Sequence, residues 1–137
     1  MKFLRLLAVL TVVLAGLGQV ALAGSSDPLF VNLSTDDNHK ANMAIAISKE
    51  MLKQGHPVTI YMNSQAVQIA NKTNPRYAMQ QQKLAEFISK GGTVLVCPVC
   101  EQFLHLNTAD LVPGIKLSSA SAVAQALFGE KTKTLSW

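Results

Sequence analysis

Three short apolar runs, Leu29–Leu33, Val58–Met62 and Thr93–Val96, are separated by stretches long enough to carry a helix, and this alternation most constrains the fold. Runs this short suit strands buried in a sheet better than helices. Between the first two, Ala41 to Gln54 reads as a helix. Ala44, Ile47 and Met51, with Met43, Ala46 and Leu52, form its apolar face, and Lys49, Glu50 and Lys53 lie opposite. Gly55 stops it. A second helix, about Ala78 to Lys90, gathers Leu84, Phe87 and Ile88 on one side before Gly91-Gly92 breaks it. Strands alternating with helices imply right-handed crossovers and a parallel sheet covered on both faces, so the fold class is α/β.

The remaining segments fit the same plan. Within the irregular stretch Asn63 to Tyr77, Ser64 is placed to cap a short helix through Ala66, Val67, Ile69 and Ala70, which Asn74-Pro75 ends. After the third strand, a helix about Pro98 to Leu106 is expected to give Val99, Phe103, Leu104 and Leu106 to the core. Ile115–Leu117 is a short fourth strand. Ser118 and Ser119 cap a helix through Ala122, Val123, Ala126 and Leu127, and Thr132 to Ser136 is a last strand. Met43, Met51, Met62 and Met79 lack the clustering of a copper-binding run and read as core filling.

The first 23 residues read as an export signal rather than fold. Lys2 and Arg5 precede an apolar core from Leu6 to Gly18, and Ala21-Leu22-Ala23 is a small-x-small cleavage pattern. The expected product is one domain over residues 24–137, periplasmic or secreted, with no membrane attachment once the signal is cleaved. The chain's formal net charge is +4, and Lys2 and Arg5 belong to the signal. What remains is too small and too scattered to favour nucleic acid or an anionic membrane as partner.

Both cysteines fall in Cys97-Pro98-Val99-Cys100. Pro98 suits the first position of a helix, which places Cys97 at the cap, where unpaired N–H groups favour a thiolate. Cys100 then lies on the same side of the first turn. A purely structural disulfide closing so short a loop would contribute only about 2 kcal/mol. A redox dithiol uses this arrangement, with a nucleophilic first thiol and a resolving second one. A metal site needs further ligands that a second Cys-x-x-Cys would supply and this chain lacks, so neither metal nor cofactor is expected.

In parallel sheets the carboxyl ends of the strands form the ligand crevice. Asp36 to His39, Met62-Asn63, Cys97 to Cys100 and Ser118-Ser119 all belong to that edge, and His56 to the opposite one. Asp37 is a candidate to hold a partner's basic group or tune the cysteine, and is equally a helix cap. His39 is a candidate for proton transfer at the thiol, or an exposed residue at a helix start. Asn63 and Tyr61 are candidate crevice lining, and Trp137 is a candidate cover for the crevice or an oligomer contact.

The loop Ser34 to Ala41 after the first strand, Gly55 to Tyr61 leading into the second, and Gly91-Gly92 before the strand ending in Cys97-Pro98-Val99-Cys100 together resemble the DsrE/DsrF-like sulfur-relay family over nearly all of residues 29–137. The resemblance implies a three-layer α/β/α sandwich with a mainly parallel sheet of about five strands, assembled as a homo-oligomer. It further implies that Cys97 carries sulfane sulfur as a persulfide, with Cys100 matching the second cysteine of some branches as resolving thiol. The implied partner is a sulfur donor or acceptor protein, or a small thiol or polysulfide. Thiol–disulfide exchange, and a binding or scaffold module with a structural Cys97–Cys100 disulfide, stay open as other readings.

Overall fold

The three apolar runs become the central strands of a five-stranded sheet in a computed structural model, which describes residues 26–137. The expected export signal lies outside the described residues. β1 (Leu29–Leu33), β2 (Val58–Met62), β3 (Thr93–Val96), β4 (Lys116–Leu117) and β5 (Lys133–Ser136) lie in the order β4-β3-β2-β1-β5, and every pairing is parallel. The helices are α1 (Asn38–Lys53), α2 (Ala78–Ser89), α3 (Pro98–Phe103) and α4 (Ala120–Leu127), with a 3-10 helix at Ser64–Ala70. None of the described helices is long and apolar enough to cross a membrane.

Strand order decides which face each helix covers. From β1 through β4 the chain steps always in one direction, and right-handed crossovers then put α1 and α2 on the same face, where they pack on β1, β2, β3 and each other. The return from β4 to β5 runs the other way, so its helix, α4, belongs on the opposite face. Alternation along the strands matches this. Val31, Leu33, Ile60, Met62, Val94 and Val96 face α1 and α2 in one continuous core. Phe30 and Leu95 are buried outside that core, on the second face, where Asn32, Thr59 and Tyr61 are only half-buried. The α/β fold with a parallel sheet is as expected, and on the second face α4 leaves the sheet partly open.

Several inward assignments also change. α1 buries Ala41, Ala44, Ile45 and Ser48, while Met43 and Ala46 are exposed. Ser48 is tolerated because its hydroxyl donates to the Ala44 carbonyl at 2.7 Å, leaving a small, satisfied side chain. Met62 fills core and Met51 packs against it, but Met43 and Met79 face solvent. In α3, Val99 and Phe103 are 72% and 80% exposed instead of supplying core, and the buried residue is Glu101, whose carboxylate accepts from the Thr108 hydroxyl at 2.6 Å.

α3 also ends earlier than expected, at Phe103. His105 takes a left-handed φ of 53°, and the His105 and Leu106 N–H groups bond back to Gln102 and Glu101 at 3.0 Å. That is a Schellman stop with histidine where glycine is usual. The 3-10 helix is capped by Asn63 without a side-chain bond rather than by Ser64, which itself sits at φ 50°.

Candidate functional site

Cys97 lies where β3 becomes α3. Its N–H still belongs to the sheet, donating to the Met62 carbonyl at 2.9 Å, and its side chain already belongs to the helix, with Sγ accepting from the Cys100 N–H at 3.2 Å. Pro98 at the first helical position has no N–H to satisfy there, so the turn is made without an orphaned donor. Both cysteines are half-buried free thiols. Cys100 is tied from the other side, its Sγ accepting from the Ser64 N–H at 3.2 Å.

Register brings in a third side chain. Tyr61 on β2 pairs with Leu95, two residues before Cys97, so Tyr61, Leu95 and Cys97 alternate onto the same, second face. Tyr61 lines one cleft with Cys97 and Ser118, and burial first, then the neighbouring Cys97, pushes its hydroxyl up to about 12. It is therefore a proton donor throughout the neutral range.

The two thiols are driven apart. Partial burial pushes the Cys97 thiol up, but the neighbouring Cys100 thiol and its N–H, the Tyr61 hydroxyl and the Val99 N–H outweigh it, and Cys97 sits below its ordinary value. Burial and the neighbouring Cys97 sulfur push Cys100 above its ordinary value. Cys97 is thus the sulfur that ionises first.

The sulfurs open into two different recesses. A cleft of about 460 Å³ has Cys97, Pro98 and Val99 on one wall and Ala120, Val123 and Leu127 of α4 on the other, with Tyr61 and Phe128 also lining it. Beyond Val99, a recess of about 200 Å³ holds Cys100 with Ser64, Gln65, Phe103 and Leu104. A larger hollow of about 620 Å³ between α1 and α2, lined by Lys49, Lys83 and Glu86, involves neither cysteine.

The other candidates from the sequence are not drawn to the sulfurs. Asp37 is exposed and caps α1, accepting from the Lys40 N–H at 2.9 Å, which holds its carboxyl below the usual value. His39 is exposed on the first turn of α1. Asn63 donates from Nδ2 to Asn32 Oδ1 at 2.6 Å, and it is the next residue, Ser64, that reaches Cys100. Among the described residues none of these three side chains hydrogen-bonds a cysteine. Trp137 continues the β1–β5 pairing past the end of β5: its carbonyl accepts from the Ser34 N–H at 2.9 Å and hydroxyl at 2.7 Å, and its partly buried side chain packs against the core. His56 sits at the opposite edge, its Nδ1 2.8 Å from the Asp27 carbonyl oxygen.

Two contributors escaped the sequence reading. The Ser64 donor is a backbone N–H, which no residue type announces. Ser118 was placed at the crevice edge but read as a cap; Ser119 does the capping, and Ser118 lines the Cys97 cleft beside Tyr61. Among the described residues, no three His, Cys, Asp or Glu side chains converge to hold a metal.

Solved structures share this architecture. Protein MTH1491 of Methanobacterium thermoautotrophicum, of unknown function, superposes with a TM-score of 0.68 at 12% identity, over 80% of this chain and 98% of its own. The ychN protein of E. coli gives 0.68 at 14% identity, over 82% and 99%. Protein BT1422 of Bacteroides thetaiotaomicron, also of unknown function, gives 0.61 at 19% identity, over 80% and 95%. At such identities the likeness shows the fold. No curated protein matches the chain. The family model described as "DsrE/DsrF-like family" matches residues 29–130, which include the whole thiol site.

Proposed function

Because the chain belongs to the DsrE/DsrF-like family, we propose that it handles sulfane sulfur on Cys97, as a periplasmic or secreted protein delivered by its N-terminal signal. The observation that carries this reading is the setting of one sulfur. Cys97 Sγ accepts the Cys100 N–H at 3.2 Å and shares a cleft wall with the Tyr61 hydroxyl, while the neighbouring Cys100 thiol is held above its ordinary value. A half-buried sulfur whose thiolate is favoured at the wall of a cleft is poised for attack.

The chemistry is nucleophilic displacement at sulfur. The Cys97 thiolate attacks a sulfane sulfur, its new S–S bond forms as the donor's S–S bond breaks, and the donor leaves as a thiolate. Two exits follow. An acceptor thiolate, from a partner protein or a small thiol, takes the outer sulfur and regenerates Cys97. Alternatively Cys100, once deprotonated, attacks Cys97 Sγ, expels hydrosulfide and leaves the Cys97–Cys100 disulfide. The second exit needs a dedicated reductant for another round in an oxidising compartment. Assembly into a homo-oligomer belongs to the same proposal, supported by the half-open second face and by β5, an edge strand with every residue exposed.

Single mutants test it. Cys97→Ser is expected to abolish sulfur loading from polysulfide, and Cys100→Ser to accumulate the loaded form. Loading of Cys97→Ser at the wild-type level would sink the mechanism, and equivalent behaviour of the two mutants would indicate a static disulfide in a binding module.

A further inference from the structure

The cleft beside Cys97 carries information about the sulfur donor. It lies within the usual range of small-molecule pockets, about 300–1,000 Å³, and a reactive sulfur forms part of its wall. Apart from Cys97, each lining side chain is uncharged at neutral pH, Tyr61 included. The chain has 12 lysines and arginines, and the lining contains none of them. Val99 and Phe128 stand 72% and 80% exposed at the cleft, and Val123 and Leu127 back it on α4. An anionic donor such as thiosulfate would meet no cation here to replace its lost hydration. An apolar substituent would gain by leaving water.

Building on the persulfide reading of Cys97, we infer that this cleft selects a hydropersulfide, R–S–S–H, whose substituent R is uncharged and apolar. R lies between Val99 and the Val123–Leu127 face of α4, and the S–S bond points at Cys97. The Cys97 thiolate attacks the outer sulfur, forming the Sγ–S bond. The donor S–S bond breaks, and R–S⁻ leaves with the electron pair. The proton stays on the transferred sulfur, giving Cys97–S–S–H, and no external oxidant or reductant enters. Selection thus comes from burial of R alone.

The test compares donors differing only in R. Loading rates of reduced protein with benzyl hydropersulfide and with glutathione hydropersulfide, whose tripeptide is anionic, are measured by intact mass after rapid thiol blocking. Each is divided by the rate on an unstructured peptide containing Cys-Pro-Val-Cys, which removes intrinsic reactivity. The inference expects the benzyl donor to be favoured about tenfold or more on the protein relative to the peptide. It expects Phe128→Lys and Ala124→Lys, both at exposed positions that leave the core untouched, to bring the ratio several-fold back toward the peptide value. A protein ratio equal to the peptide's, or one unmoved in both variants, overturns the donor class and leaves sulfur carriage standing. Failure of Cys97 to take sulfur from either donor overturns sulfur carriage and the donor class together.

Discussion

Ser64 donates its backbone N–H to Cys100 Sγ at 3.2 Å while holding a φ of 50°, so a left-handed residue in the loop after β2 fixes one side of the thiol pair. The strain and the hydrogen bond belong to the same atoms. Ser64→Gly keeps the N–H and removes the steric penalty, whereas Ser64→Val keeps the N–H and worsens it. Urea unfolding is expected to show the valine variant less stable than wild type by about 1–3 kcal/mol, with the glycine variant close to wild type. A valine variant as stable as wild type would contradict the reading.

Cys97 should alkylate as a thiol of lowered pKa. The rate with iodoacetamide is expected to rise with a midpoint below that of an ordinary cysteine. Tyr61→Phe and Cys100→Ala each remove a group that favours the thiolate, so each should move that midpoint upward. The sign for stability follows: a depressed folded value adds stability above the unfolded thiol's pKa, and that increment is lost as pH falls. A midpoint unchanged in Tyr61→Phe would mean that the hydroxyl does not serve the thiolate.

Both tyrosines should resist ionisation. Tyr61 is pushed up to about 12 by burial and the neighbouring Cys97, and Tyr77 to about 12 by burial and its bond to Asp36, at 2.6 Å. The chain contains just these two. Absorbance titration of the folded protein is therefore expected to show no tyrosinate step near 10. Raised folded values stabilise the fold fully below the unfolded value of 10.0, and this contribution fades as pH rises toward 12. A full tyrosinate step at 10 in folded protein would contradict it.

Glu101 anchors α3 from beneath, buried and accepting from the Thr108 hydroxyl at 2.6 Å. Thr108→Val keeps the shape and removes the donor, leaving a buried carboxylate short of a partner. The expected loss is about 1–3 kcal/mol in chemical unfolding. Because α3 carries Cys100, its reactivity should change in the same variant, and no change in either quantity would show that the pair is dispensable.

How far the sequence could be read is clearest in α3. A short helix offers two stripes at helical spacing: Val99 and Phe103, or Cys97, Cys100, Glu101 and Leu104. Hydrophobicity favours the first as core, but the second turns inward, because Cys97 must cap the helix and Glu101 finds Thr108. Six residues that begin with a proline give too little periodicity to decide. By contrast β1, β2 and β3 were legible because an inner parallel strand is apolar nearly throughout, and Cys97 because a proline fixes its place at the cap. Strand order was not legible, since the pairing of β5 with β1 is a long-range contact with no local signal. For the same reason neither the open second face nor the meeting of Tyr61 with Cys97 could be foreseen. Asp37 illustrates the opposite limit: its local role as a cap was readable and is the role it fills.

The most direct measurement is intact mass of the protein isolated with rapid thiol blocking, before and after polysulfide treatment, followed by peptide mapping. Sulfur carriage predicts additions in steps of about 32 Da, one sulfur each, mapping to Cys97. A protein two hydrogens light that resists mild reductant and takes up no sulfur would contradict it, and would make Cys97–Cys100 a structural disulfide.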